Sequence, residues 1–174
     1  MRGALRTLTM PATVVMLVLV TATAAPSAGA SAKAAAPPVR TLSVTGVDFT
    51  PASDEADFVI AGQFAYGDGH LRARIPFPAE AVVVTSVKFR FYDNAPNRGM
   101  CAFLWRANPA DGLQQDTLGG ACTEGASTED PQTLSFPVFA RVGGHFVSWL
   151  DVSFTAADPQ TRLYGATVFY RIVE

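Results

Sequence analysis

Histidine and cysteine are scarce in this chain of 174 residues, which has two of each. His70 and His145 are far apart and lie in no His-x-His or His-Glu-x-x-His pattern, the spacings that place two imidazoles on one metal ion. The Gly-x-Ser-x-Gly motif of a serine nucleophile is also missing from the sequence. The sequence therefore predicts no metal site, no cofactor and no catalytic residues of the serine or cysteine hydrolase type.

Basic residues are also few, with 13 Lys+Arg against 15 Asp+Glu and a net charge of −2. Arg2 and Arg6 lie in the N-terminal leader described below, so the mature chain is more acidic than the whole sequence. Nucleic acids and anionic membranes select surfaces with clustered basic residues. We therefore expect neither nucleic acid nor membrane as a partner of the mature protein.

Long hydrophobic runs are absent except near the N-terminus, where Val14 to Val20 are all apolar. Arg2 and Arg6 precede this run, and Ala28-Gly29-Ala30 follows it as a small-residue cleavage site, which is the arrangement of a secretory signal peptide. The run is shorter than the roughly 20 residues of a spanning helix. We predict a signal peptide over 1–32, a disordered tether over 33–40 and one secreted, extracellular domain over 41–174.

The two cysteines are Cys101 and Cys122. In an exported chain an isolated pair is expected to form a disulfide. The enclosed loop of roughly 20 residues would stabilise the fold by about 3 kcal/mol in the chain-entropy model.

The stretch Pro76 to Arg106 is the clearest structural signal. From Val83 to Tyr92 apolar and polar residues alternate, which is the period of a β-strand with one buried face. The odd positions, which include Val83, Thr85 and Val87, are expected to face inward. Turn-forming residues follow from Asp93 to Gly99, and then a second apolar strand begins. We predict that these two strands form a central hairpin.

Strand patterns of the same kind occupy the rest of the domain, and no convincing helix is predicted. The first segments expected are Thr41 to Thr50, with a bulge at Gly46, then Phe58 to Tyr66 and His70 to Phe77. Later segments are Leu118 to Thr123, Gln132 to Ala140, His145 to Thr155 and Arg162 to Val173. About eight or nine strands with frequent turns predict an all-β antiparallel sandwich, connected either as a jelly roll or as a Greek key.

The stretch IPFPAEAVVVTSVKFRFYDN, the CAFLWR strand and the terminal GATVFYRI strand resemble a loose group of secreted bacterial proteins. These proteins share a proline and a small residue before a long strand that ends in Tyr-Asp-Asn. The resemblance implies a single-domain β-sandwich of bacterial origin and uncharacterised role, and it supplies no catalytic residues.

Exposed aromatic residues are the best indication of function. Tyr92 and Trp149 fall on the wetter faces of their strands, near Arg90 and Asp151 if those strands share a sheet. Rings flanked by hydrogen-bonding groups suit recognition of a sugar or a peptide. We therefore predict a non-catalytic extracellular binding module, with Tyr92, Trp149, Arg90 and Asp151 as ligand-binding residues and a glycan or a protein as partner.

Two other functions remain open at this stage. One is a small secreted hydrolase that uses two of the chain's acidic residues, because a glycosidase needs a pair of carboxyl groups roughly 5 to 10 Å apart. The other is an inhibitor or effector whose loops engage another protein. The sequence contains no signal for the oligomeric state.

Overall fold

The computed structural model describes residues 36–54, 56–78, 81–95, 99–111, 114–123 and 130–173. Residues 36–174 form one compact unit. The predicted signal peptide and the first part of the predicted tether lie outside the described residues. Among the described residues there is no helix that is both long and apolar enough to cross a membrane.

The described residues form eleven β-strands and two short 3₁₀ turns, Gly46–Asp48 and Pro109–Asp111. The strands are β1 (Arg40–Thr45), β2 (Thr50–Pro51), β3 (Phe58–Ala61), β4 (Phe64–Gly67), β5 (Gly69–Arg74), β6 (Val82–Asp93), β7 (Met100–Asn108), β8 (Gln114–Cys122), β9 (Gln132–Val142), β10 (Val147–Phe154) and β11 (Thr161–Ile172). Two predicted segments are each divided in the structure, so the strand number exceeds the eight or nine expected.

The strands pair antiparallel in two sheets. The front sheet has the order β3-β4-β11-β6-β9, with β1 also paired to β11, and the back sheet has the order β2-β5-β10-β7-β8. The eight strands β4 to β11 therefore contribute β4-β11-β6-β9 to one sheet and β5-β10-β7-β8 to the other, which is the jelly-roll arrangement. The predicted all-β antiparallel sandwich is confirmed, and the jelly roll is the correct one of its two connectivities.

The predicted central hairpin is wrong. Strand β6 pairs with β11 and β9 in the front sheet, whereas β7 pairs with β10 and β8 in the back sheet. The segment between them crosses from one sheet to the other, and its ends bond elsewhere: the Asn94 amide donates to the Gln160 carbonyl, and the Met100 amide donates to the Thr123 hydroxyl. Alternation of apolar residues defines which face of a strand is buried but not which strand lies beside it.

The first two predicted strands are each interrupted. The expected bulge at Gly46 is a 3₁₀ turn that separates β1 from β2. The segment from Phe58 to Tyr66 folds back on itself at Gly62, where φ is +66°, and so forms the β3–β4 hairpin. Glycine suits this position because a side chain disfavours positive φ.

The core fills the space between the sheets with apolar residues from both inner faces. Its fully buried larger side chains include Phe49, Phe89, Leu71, Met100, Leu104, Leu150 and Leu163. On β6 the buried positions are Val82 and Val84 before a register shift and every second residue from Val87 to Asp93 after it, so the expected inward placement of Val83 and Thr85 is wrong. The shift lies opposite Pro137 on β9, a strand at the edge of the front sheet.

The predicted disulfide is confirmed. Cys101 on β7 and Cys122 on β8 lie directly opposite each other in the back sheet and are bonded. The bond ties the edge strand β8 to its neighbour.

Candidate ligand-binding groove on the front sheet

A groove of about 670 Å³ runs across the outer face of the front sheet. It crosses four neighbouring strands, from β9 over β6 and β11 to β1, and reaches the turns at Val47 and at Gly62-Gln63. Since neighbouring strands lie about 4.8 Å apart, the four strands span roughly 14 Å. The volume falls in the range of small-molecule sites, which is roughly 300 to 1,000 Å³.

Two rows of side chains form the floor of the groove. Antiparallel register aligns Thr133, Arg90, Gly165 and Thr45 in one row, and Ser135, Lys88, Thr167 and Ser43 in the other. All but Ser135 line the groove. The Ser43 and Thr167 hydroxyls are 3.1 Å apart and share a hydrogen bond. The floor therefore presents hydroxyl groups on both sides of two basic residues.

Gly165 determines the shape of this floor. Its φ is +143°, a conformation that disfavours a side chain, and an added Cβ would lie 2.3 Å from the Val44 carbonyl oxygen. The β6–β11 register shifts between Leu163 and Gly165, so Tyr164 is an extra residue in the strand. The missing side chain thus allows β1 to lie close to β11, and the bulge adds a tyrosine to the groove.

The turn at one end of the groove is held by a carboxylate. The Thr45 amide and hydroxyl both donate to Asp48 Oδ2, at 2.7 and 2.8 Å. These bonds stabilise the ionised form, the backbone bond most, and hold the pKa of Asp48 below its ordinary value. They order the 3₁₀ turn that carries Val47 into the groove wall.

Aromatic rings and arginines alternate along the outer face beside the groove. The Arg90 guanidinium lies 5.8 Å from the centre of the Tyr164 ring, and Tyr164 meets Phe64 edge to face at 5.7 Å. The Arg162 guanidinium lies 4.8 Å from the Phe64 ring and 5.0 Å from the Tyr92 ring. These distances are within cation–π range, so the row orders Arg90 and Tyr164 at the groove.

The four predicted ligand-binding residues do not share a sheet. Arg90 and Tyr92 are on β6 of the front sheet. Arg90 lines the groove, and Tyr92 lies beside the groove against Arg162. Trp149 and Asp151 are on β10 of the back sheet, so the expected cluster of all four residues does not exist.

On the outer face of the back sheet, Trp149 and Asp151 contact their own neighbours. Trp149 stacks on Trp105 of β7, with ring planes 4° apart and centroids separated by 6.4 Å. Both indole nitrogens are shielded from solvent. Asp151 is only 3% exposed, and its two carboxylate oxygens accept hydrogen bonds from His70 Nδ1 and Arg72 Nε, each at 2.7 Å.

Sequence reasoning missed most of the groove, including Tyr164, Gly165, Thr167, Ser43 and Thr45. A signal was present in Arg162-Leu-Tyr-Gly-Ala, where a glycine interrupts the alternation of β11, since an isolated glycine inside a strand pattern indicates a bulge or a close approach of backbone. No comparable signal relates Ser43 to Thr167, because their proximity depends on the pairing of β1 with β11.

The described part of the chain contains no group of three or more His, Cys, Asp or Glu side chains arranged to hold a metal ion. The groove's own described lining consists of basic, hydroxyl, amide, aromatic, aliphatic and small side chains.

No protein-family model matches this sequence, and no curated protein is similar enough to count as a relative. Among solved structures, the chain is similar to the C-terminal CBM6 domain of a laminarinase from Zobellia galactanivorans, with 12% identity, a TM-score of 0.48, and coverage of 74% of this chain and 98% of that domain. It is also similar to the xylan-binding module CBM15, with 9% identity, a TM-score of 0.48 and coverage of 77% and 97%.

A third similar structure is the CBM36-1 domain of a multidomain xylanase from the hindgut metagenome of Trinervitermes trinervoides, with 15% identity, a TM-score of 0.45 and coverage of 78% of this chain and 99% of that domain. These structural neighbours are carbohydrate-binding β-sandwiches. At such identities and TM-scores the similarity carries no information about a ligand of this chain.

Proposed function

We propose that this protein is a secreted, non-catalytic module that binds a glycan in the groove across the front sheet. The observation that supports this proposal most strongly is the groove itself: about 670 Å³, open across four strands, with hydroxyl groups and two basic residues in its floor. A binding site of this kind combines a concave surface with a few convergent polar groups.

The chemistry of the lining favours a saccharide. Tyr164 offers a ring at one side of the groove, and a ring buries a large apolar area at low entropic cost. Ser43, Thr133 and Thr167 have hydroxyls that both donate and accept hydrogen bonds. The Thr45 hydroxyl already donates to Asp48, which leaves it as an acceptor for a ligand hydroxyl.

Secretion is part of the proposal. It is supported by the signal-peptide pattern over 1–32 and by the Cys101–Cys122 disulfide, since disulfides persist in oxidising compartments outside the cytosol. The expected size of the mature product, one domain beginning near residue 33, can be checked by mass spectrometry of the exported protein.

The hydrolase alternative has no support in this groove, whose described lining residues include no Asp or Glu. Asp151 is committed to His70 and Arg72 on the other sheet. The protein-binding alternative is supported by exposed apolar residues on the two edge strands of the front sheet, Phe139 of β9 with 83% of its surface exposed and Val59 and Ile60 of β3. Single exposed apolar residues are common on monomers, so this alternative ranks second.

A glycan array on the mature domain tests the proposal, followed by titration of the best oligosaccharide into three proteins. We expect wild-type protein and Trp149→Ala to bind alike, because Trp149 is on the back sheet, and Tyr164→Ala to bind at least about ten-fold more weakly because the stacking ring is lost. Binding by wild type that depends on Trp149 and not on Tyr164 would move the site to the back sheet. Failure of wild type to bind any glycan would refute the function.

A further inference from the structure

We infer that the glycan held in this groove is acidic, and that Lys88 and Arg90 bind a sugar carboxylate. This inference rests on the proposed function and adds the ligand class. Its basis is the placement of two basic side chains in one groove without an acidic partner.

Lys88 and Arg90 are two residues apart on β6, so their side chains leave the same face of the sheet. Their Cα atoms are separated by two strand rises, roughly 7 Å. Both side chains are exposed, and both line the groove. A single sugar unit lying across β6 is therefore within reach of both cations.

Neither cation has a carboxylate partner within the part of the chain that the structure describes. The described ion pairs join Arg72 and His70 to Asp151 and Arg106 to Asp116. An arginine presents donors in a planar fork that matches the two oxygens of a carboxylate. The positive charge of the groove is thus left for a ligand, and it stands out on a chain whose net charge is −2.

Both cations are also held in place before any ligand arrives. The Lys88 ammonium lies 5.4 Å from the centre of the Phe169 ring, and the Arg90 guanidinium lies 5.8 Å from that of Tyr164. Both rings belong to β11. A side chain that is already ordered loses less entropy on binding, so the arrangement favours a defined anionic group over diffuse attraction.

The number of charges indicates which acidic glycan fits. Two cations in a floor otherwise made of hydroxyls and small residues match one or two negative charges and several sugar hydroxyls. A densely sulfated polymer is recognised by a larger basic cluster. A uronic-acid glycan, with at most one carboxylate on each sugar, is the class that the groove matches.

The test compares acidic oligosaccharides with their own neutral forms. Calorimetric titration would use galacturonate, alginate and glucuronate-containing oligosaccharides, each beside its carboxyl-reduced form, with a sulfated heparin fragment as a further arm. We expect wild type to bind at least one uronate about ten-fold or more tightly than its reduced form, and this preference to fall as salt increases.

The variants Arg90→Gln and Lys88→Gln test whether uronate binding depends on the charges in the groove or on the total charge of the protein. Each is expected to weaken uronate binding by about ten- to a hundred-fold, the usual effect of losing a charge-assisted bond, and to leave binding of the reduced form nearly unchanged. The control is Arg74→Gln, which removes an exposed cation of the back sheet and should change nothing. Unaltered thermal unfolding of all three variants shows that they are folded.

The outcomes distinguish this inference from the proposed function. Equal binding of a uronate and its reduced form, or preference for the heparin fragment over every uronate, overturns the inference and leaves glycan binding in place. Equal losses in Arg90→Gln and Arg74→Gln also overturn it, because the effect would then be one of total charge. Failure to bind any glycan, acidic or neutral, would refute both this inference and the proposed function.

Discussion

The two outer faces of the sandwich carry similar residue types in opposite states. On the back sheet Arg72 and His70 both bond to the Asp151 carboxylate, and Trp149 stacks on Trp105. On the front sheet Lys88 and Arg90 have rings beside them but no described carboxylate, and the surface is concave.

Two glycines, one in each sheet, show the same difference between the two faces. Gly120 on β8 lies under the Phe103 ring, whose Cδ1 would be 2.2 Å from an added Cβ, so a neighbouring side chain fills the space that the glycine leaves. The three atoms nearest to an added Cβ at Gly165 on β11 all belong to the backbone of β1, and the outer surface above it is part of the groove. We infer that the back face has its interactions satisfied internally, while the front face keeps its interactions for a ligand.

Removal of Trp149 should produce the largest change in stability. In Trp149→Ala the stack with Trp105 and the contact with Arg72 are lost, and we expect the free energy of unfolding to fall by about 2 to 3 kcal/mol, less than for a fully buried aromatic because Trp149 is half-buried. Tyr164→Ala should cost about 1 kcal/mol, because this smaller ring lines an open groove and loses its contacts with Phe64 and Arg90. Urea denaturation measures both changes, and a larger loss of stability for Tyr164→Ala than for Trp149→Ala would contradict the difference between the two faces.

Gly165→Ala should affect stability and binding together. The new Cβ would overlap the Val44 carbonyl in a strained backbone conformation, and we expect a loss of about 2 kcal/mol with weaker glycan binding as β1 moves away. Gly62→Ala is the matched control, since Gly62 also has positive φ and lines the groove but would meet no atom within 4 Å.

For Gly62→Ala we expect a loss of about 1 kcal/mol from backbone strain alone, with binding retained. Urea denaturation and glycan titration of both variants give the two readouts. Retention of full affinity in Gly165→Ala would show that the bulge does not shape the site.

The smallest expected effect is a loss of stability in acid, at the turn that carries Asp48 at the end of the groove. Because the pKa of Asp48 is lowered in the folded protein, its contribution to stability is present above the ordinary value of 3.8 and is lost as the pH falls through the lower folded value. The group is exposed, so the contribution is at most about 0.5 kcal/mol.

Asp48→Asn is expected to remove this acid-dependent part. Urea midpoints of wild type and Asp48→Asn, compared from neutral pH to about pH 3, should therefore converge as the solution is acidified. A gap that stays constant over this range would contradict the role of the Asp48 carboxylate.

Alternation of apolar residues was enough to predict most strands and the all-β sandwich from the sequence. On β5 and β11 the apolar side of the alternation is the buried one, with Leu71 and Ala73 inward on β5 and Val168 and Tyr170 inward on β11. The disulfide was predicted as well, because only two cysteines exist. These are local or compositional properties, which one sequence contains.

Which strands pair with each other could not be predicted in the same way. The assumption that consecutive strands pair led to a false hairpin of β6 with β7, and Arg90 and Trp149 were assigned to one surface although their strands lie in opposite sheets. The groove depends on which strand lies beside β11 and on the bulge at Gly165, both of which follow from long-range pairing. Of the four residues predicted to bind a ligand, Arg90 is the one that lines the groove.

Binding in the front-sheet groove is tested most directly by following the backbone amide signals of isotope-labelled protein by NMR during titration with the oligosaccharide that binds best on the array. We expect the largest shifts in β1, β6 and β11 around Thr45, Arg90 and Gly165, with little change in the back sheet. Shifts centred on Trp149 and its neighbours in β7 and β10 would contradict it.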